Sequence, residues 1–233
     1  EEGGRGEEQQ QPPQQPPKRK KKKGERPPPA TVQEAVERAL ATTPERFTLT
    51  SRNPAKQLHI GDRDMAFGLV AGPPFVHDCE RGRRAGNLAD YRDFIKLAQH
   101  FNAIHIIGNQ VCAPVELPAN SRHLDTYRTN LVYSDLSFHC TAIGAGRARD
   151  GIEMMAITRG LTPEQMADSP GVLTIISVNS PRRFDEAMAD GLMMMARYGQ
   201  PVVITPFTLM GAMAPVSLAA ALAQQNAEIL FGL

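Results

Sequence analysis

The chain has 233 residues, 41% of them hydrophobic and 22% charged, which suits one domain with a sizeable core and excludes a bundle of membrane spans. No stretch reaches the roughly 18 uninterrupted apolar residues of a spanning helix, and the N-terminus lacks the apolar core of a secretory signal, so a soluble, cytoplasmic protein is expected. Cys79, Cys112 and Cys140 are widely spaced and odd in number, so they make neither a disulfide framework nor a CxxC zinc ribbon and are expected as reduced thiols.

A formal net charge of +1 hides an asymmetry, because the first 30 residues carry eight basic and five acidic side chains and the remainder is slightly acidic. Residues 1–30 run from a Gln/Pro-rich stretch into Lys18-Arg19-Lys20-Lys21-Lys22-Lys23 and close on Pro27-Pro28-Pro29. Such a composition buries too little apolar surface to offset its ordering entropy and predicts a disordered tail. No aromatic residue interleaves with the basic run to stack on bases, so nucleic-acid binding through the tail is the least favoured function class.

From residue 31 to 233 short apolar runs alternate with segments of helical period, the pattern of βα repeats. Met65–Ala71 reads as the first strand, followed by a helix from about Asn87 with Leu88, Tyr91, Ile95 and Ala98 on one face. Ala103–Ile107 returns as a strand, Ser121 caps a helix carrying Leu124, Tyr127 and Leu131, and Phe138–Ile143 makes the third strand. A helix with Ile152, Met155 and Ala156 then ends at Gly160. Val172–Val178 is the clearest buried strand, and Ser180-Pro181 supplies an N-cap and a first-turn proline for a helix holding Phe184, Ala187, Met188, Leu192 and Met195. Gly199 and Pro201 stop that helix, and Val202–Thr205 is the fifth strand. The last helix enters at Pro215, with Val216, Ala219, Ala220, Ala223 and Ala227 as a small-residue packing face.

The five strands are expected to be parallel neighbours in one sheet, because a helical segment separates each from the next. A closed barrel of this class has eight strands and about 250 residues, so about five βα units predict an incomplete parallel TIM-type barrel. A doubly wound open sheet can be built from the same units, although Gly144-Ala145-Gly146 has Arg149 where a dinucleotide fingerprint needs its third glycine.

Three early segments carry a resemblance: Gly72-Pro73-Pro74-Phe75-Val76, Asp78-Cys79-Glu80-Arg81-Gly82-Arg83-Arg84 and Arg122-His123-Leu124-Asp125. Three later ones carry it further: Thr174-Ile175-Ile176-Ser177-Val178-Asn179-Ser180-Pro181, Gln200 to Phe207, and Gly211-Ala212-Met213-Ala214-Pro215-Val216 through Gln224-Gln225-Asn226-Ala227-Glu228. Together, in this order, these blocks resemble the trimethylamine methyltransferase family from about Phe47 to Leu233. Leu136 after Ser134-Asp135, where a lysine is expected, and Asn109-Gln110-Val111-Cys112-Ala113, in place of a more glycine- and acid-rich passage, depart from the family pattern. The resemblance implies a TIM barrel that takes a methyl group from a tertiary or quaternary methylamine, of the trimethylamine or glycine betaine type, and passes it to a corrinoid (cobalamin) carried by a partner protein and not bound by this chain. Pyrrolysine, where the family uses it, falls in a later segment than this chain contains.

Such a reaction asks the protein to orient the substrate, exclude water and hold a cation, for which aromatic faces contribute about 0.5–2 kcal/mol each. Barrel sites form at the C-terminal ends of strands. Phe75 after the first strand, Asn179 after the fourth, and Thr205 and Phe207 at the end of the fifth are therefore the candidate substrate-binding residues; no residue is assigned as catalytic. The opposing expectations are packing for the two phenylalanines and helix capping for Asn179. Gln224, Gln225, Asn226 and Glu228 form a polar group expected at the helix surface. His139 and Cys140, adjacent on a strand, point to opposite faces, so no metal site is expected there or at His77 and Cys79. His105, in an apolar strand, reads as a hydrogen-bonded core or pocket residue, and Arg81, Arg83 and Arg84 as a solvated cluster or an anion-recognising one.

The expected function is methyl transfer from a methylated amine to a corrinoid protein, with a catalytically inactive fragment or scaffold as the alternative. With about three strands of a barrel absent, unpaired edges favour association of two copies, and turnover by this chain is not expected.

Overall fold

The computed structural model describes residues 31–180 and 182–232. The tail over 1–30 and the proline expected at the start of the fifth helix, Pro181, lie outside them. Helix α1 (Val32–Thr42) comes first, its N-terminus closed by the Thr31 hydroxyl, which accepts from the Glu34 amide at 3.1 Å. Two antiparallel hairpins follow, β1 (Arg46–Leu49) with β2 (Leu58–Gly61) and β3 (Phe75–Asp78) with β4 (Gly82–Ala85). Then come α2 (Leu88–His100), β5 (Ile106–Ile107), α3 (Arg122–Tyr133), β6 (Ser137–His139) and α4 (Ala145–Arg159). The chain continues through β7 (Val172–Val178), α5 (Glu186–Arg197), β8 (Val202–Pro206) and α6 (Leu218–Phe231).

Strands β5, β6, β7 and β8 pair in that order and all in parallel. The first expected strand, Met65–Ala71, joins this sheet through one parallel bridge, Gly68 to Ile106, with the Leu69 amide donating to the Ile106 carbonyl at 3.0 Å. It does not extend into a regular ladder, because its only strand neighbour among the described residues is the two-residue β5 and Met65, Phe67 and Val70 stay exposed. No antiparallel pair occurs among the five segments.

Strand order that follows the sequence, with no reversal, makes the sheet singly wound. A doubly wound sheet needs a switch point where the order turns back. With right-handed crossovers the helices must then fall on one face, and α2 packs on α3, α3 on α4, and α4 on α5 in succession. Between helices and sheet lies a core of Tyr91, Ile95, Tyr127, Ile152, Met155 and Met195 against Ile107, Phe138 and Val172. At about 0.8 kcal/mol per buried methylene this layer is the main stabilising contribution. Gly191 allows α5 its close approach: a Cβ there would collide with the Ala142 carbonyl oxygen in the loop after β6. The opposite face carries Ile175, Ser177, Val203 and Thr205, paired across β7 and β8, and Ile175 and Val203 on it are exposed.

Caps and faces depart from expectation at α3, α5 and α6. Ser121 precedes α3 but makes no side-chain capping bond, and Leu124 on that helix is exposed, since only Tyr127 and Leu131 of the expected trio reach the core. Asp185, not Ser180, caps α5, accepting from the Ala187 amide at 2.9 Å. Helix α6 begins at Leu218 after Pro215 and Ser217. Its buried residues are Ala221 and Glu228, whereas Ala219, Ala223 and Ala227 of the expected packing face are exposed.

Candidate functional site

The C-terminal ends of parallel strands all open at one end of the sheet, so the loops that follow them share one surface. After β7 the backbone of Asn179 exchanges two hydrogen bonds of 2.8 Å with Arg183, fixing the loop ends. Arg182 adopts φ +49°, in the left-handed region. Ser180 does not cap a helix; its hydroxyl donates to Glu228 Oε2 at 2.8 Å and to the Phe207 carbonyl at 3.3 Å. Those bonds tie the loop after β7 to the end of β8 and to α6.

A cavity of about 510 Å³ lies here, lined by Ser180, Arg182, Ala212, Met213, Gln224, Ala227 and Glu228. Glu228 is 1% exposed. Its carboxylate accepts from the Ser180 hydroxyl on one oxygen and from the Gln224 amide at 3.1 Å on the other, while Gln224 also donates to the Met213 carbonyl at 2.9 Å. Among the described residues no basic side chain pairs with it. A buried carboxylate held by neutral donors alone, near the negative end of a helix dipole, complements a cation. The expectation that this polar group simply meets solvent therefore fails at Glu228, because the loop after β7 folds over it.

Three of the four candidate binding residues meet at this end of the sheet. Asn179 lines a neighbouring cavity of about 470 Å³ with Ser180, Arg183, Phe184, Asp185 and Glu186. Phe207 is 59% exposed, and its amide donates to the Val178 carbonyl at 3.0 Å. Thr205 pairs with Ser177 on the open face of the sheet and donates to the Ile176 carbonyl at 2.9 Å. Phe75 stands apart. It lies on the β3–β4 hairpin, and the Arg83 guanidinium covers its ring at 3.7 Å from the centroid, so that aromatic face already holds a cation.

Arg81 and Arg84 both pair with Asp78 and Asp90, which makes the arginine cluster an internal ion-pair network. His105 accepts from the Phe67 amide at 3.0 Å. His139 is buried and its Nε2 accepts from the Ile175 amide at 3.0 Å; burial pushes its pKa down to about 4. All three thiols are free, and burial raises that of Cys112 to about 11. The departure Leu136 is buried, and Asn109 accepts from the Thr141 hydroxyl at 2.8 Å, so both positions serve packing and loop geometry.

Residues 30–233 match the model of the family described as Trimethylamine methyltransferase (MTTB). The chain belongs to the trimethylamine methyltransferase family. It is 35% identical over 201 residues to a protein named glycine betaine methyltransferase from Desulfitobacterium hafniense (strain Y51), a match covering 86% of this chain and 42% of that protein. It is 22% identical over 211 residues to a proline betaine:corrinoid methyltransferase from Eubacterium limosum, again over 86% of this chain and 42% of the relative. The chain thus spans well under half the length of these relatives. The ordered blocks read from the sequence, from Gly72 to Glu228, fall within the family match. Among the described residues no helix is long and apolar enough to cross a membrane.

Proposed function

We propose that this chain forms part of a TIM-type barrel that positions a methylated amine for transfer of its methyl group to a corrinoid protein. The singly wound parallel sheet supports the barrel reading, since successive strands with helices on one face are the units that close into one. The observation that carries the functional reading is the cavity beyond β7 and β8 with Glu228 buried in its wall and no basic partner among the described residues.

A reduced corrinoid, when its carrier is docked, supplies the nucleophile for the methyl group. The chain's own residues do the rest. Glu228 faces the ammonium as counter-charge, Phe207 offers a ring face to its methyl groups, and Asn179 and Thr205 set polar limits at the strand ends. A quaternary nitrogen leaves as a neutral amine, so no general acid is required of these residues. Exposed Phe207, Leu209, Met210 and Met213 in the segment after β8 give an apolar rim suited to a partner protein. A cytoplasmic location goes with this reading.

The test mixes the chain with a reduced corrinoid protein and follows its absorbance on addition of trimethylamine or glycine betaine, with a full-length relative as positive control. Spectral change is expected with the full-length relative, and binding of either amine without turnover is expected with this chain. A chain that neither transfers methyl nor binds either amine refutes the reading and leaves a scaffold in its place.

A further inference from the structure

Arg182 is the anomaly in this cavity. Left-handed backbone is favourable for glycine and tolerable for asparagine, whereas a long side chain there costs about 1 kcal/mol. An observed outlier of that kind is a reason to ask what the side chain does. Arg182 lines the same cavity wall system as Glu228, is exposed, and has no acidic partner among the described ion pairs. It is held there by the two Asn179–Arg183 hydrogen bonds, which fix the loop ends.

The cavity therefore carries one anion and one cation that do not pair with each other. We propose that Arg182 is the specificity residue of the site, clasping the carboxylate of a zwitterionic methylated amine while Glu228 faces its ammonium. This assignment rests on the functional reading above and adds to it the residue that separates betaine-type ligands from simple ammonium ions. A guanidinium presents two parallel N–H donors to a carboxylate, a geometry that lysine lacks. The cavity, at about 510 Å³, is within the range that takes small organic ligands. Simple trimethylated cations engage only the Glu228 side, so Arg182 acts on the difference between ligands.

The experiment compares glycine betaine and tetramethylammonium as probes, by isothermal titration calorimetry on the full chain and on Arg182→Gly and Arg182→Lys. Glycine is chosen because it relieves the positive φ, so the variant folds at least as well; denaturant midpoints check this. The ratio of glycine betaine to tetramethylammonium affinity is expected to fall tenfold or more in Arg182→Gly and by less in Arg182→Lys. An unaltered ratio in Arg182→Gly, whether both affinities hold or both fall together, overturns the assignment while leaving the cation site standing. If the parent chain binds neither probe, the functional reading itself fails and the assignment falls with it.

Discussion

Replacing Glu228 by glutamine separates what this residue does for the fold from what it does for a ligand. The buried carboxylate accepts two hydrogen bonds from neutral donors, Ser180 and Gln224. Charge-assisted bonds stabilise by about 1.5–3 kcal/mol each against about 0.5–1.5 for neutral ones, so the amide forfeits about 2–3 kcal/mol across the two. In return it removes a buried ion whose effective desolvation penalty is several kcal/mol. The amide oxygen still accepts from Ser180, and Gln224, already bonded to the Met213 carbonyl, can turn its own oxygen toward the new amide. The balance favours the variant by about 1 kcal/mol, a rise in Tm of about 2–4 °C for a domain of this size. Cation binding moves the other way. A charge pair at about 6 Å in an effective dielectric of about 20 is worth about 3 kcal/mol, so tetramethylammonium affinity falls by about 10²-fold. Urea denaturation at constant m-value and calorimetric titration measure the two effects on one preparation. A glutamine variant destabilised by more than about 1 kcal/mol with full cation affinity would show that Glu228 is a structural anchor for the loop after β7, and the reasoning would be wrong.

Three other outcomes are expected. Tyr127→Phe should cost about 2 kcal/mol in urea denaturation, because the Tyr127 hydroxyl accepts from the buried Thr141 amide at 2.7 Å and donates to the Arg147 carbonyl at 3.3 Å, and no other acceptor among the described residues serves that amide; a loss under 0.5 kcal/mol would mean the loop after β6 relaxes freely. Stability should decline as pH falls from about 6.5 to 4, since the unfolded state takes up a proton at His139 that the folded state, with its pKa lowered to about 4, does not. The shift corresponds to at most about 3 kcal/mol, and His139→Gln should flatten the profile over that window. Phe207→Ala, on an exposed side chain, should leave the denaturation midpoint within about 0.5 kcal/mol while weakening tetramethylammonium binding by roughly 2- to 30-fold; equal binding would remove Phe207 from the site.

The parallel sheet was legible because its strands are punctuated by helices with strong one-sided periodicity. Val172–Val178 matches its expected range residue for residue, and the Tyr91, Ile95 and Ala98 face of α2 is the buried one. The two hairpins were not. Arg46–Leu49 is only four residues long and Gly82–Ala85 carries two arginines in four, so neither reads as a strand; their order comes from cross-strand backbone pairing and, in the second, from Arg83 stacked on Phe75 and Arg84 bridging Asp78 and Asp90. Such interactions join residues that no period of 2 or 3.6 marks in advance.

None of the four candidate binding residues lines the cavity of about 510 Å³, and α6 shows why its lining was opaque in the sequence. A run of alanines at helical spacing looks like a packing face, since small residues let a helix approach a sheet. What decides the face is which side the rest of the molecule covers. Here the loop after β7 places Ser180 over Glu228, so a polar stripe of Gln224 and Glu228 turns inward and Ala219 and Ala223 turn out. Burial of a carboxylate against a hydroxyl and an amide is unfavourable on hydrophobic grounds alone, and a sequence reading that ranks faces by apolarity must choose wrongly. On the reading proposed above, the polar group is kept where its cost is outweighed by what it recognises. The same logic applies two residues beyond Ser180, where an arginine occupies backbone that suits glycine. Two violations of different rules, one of burial and one of backbone conformation, open on one cavity, and that coincidence is why the proposed recognition site is put there and not at the aromatic candidates.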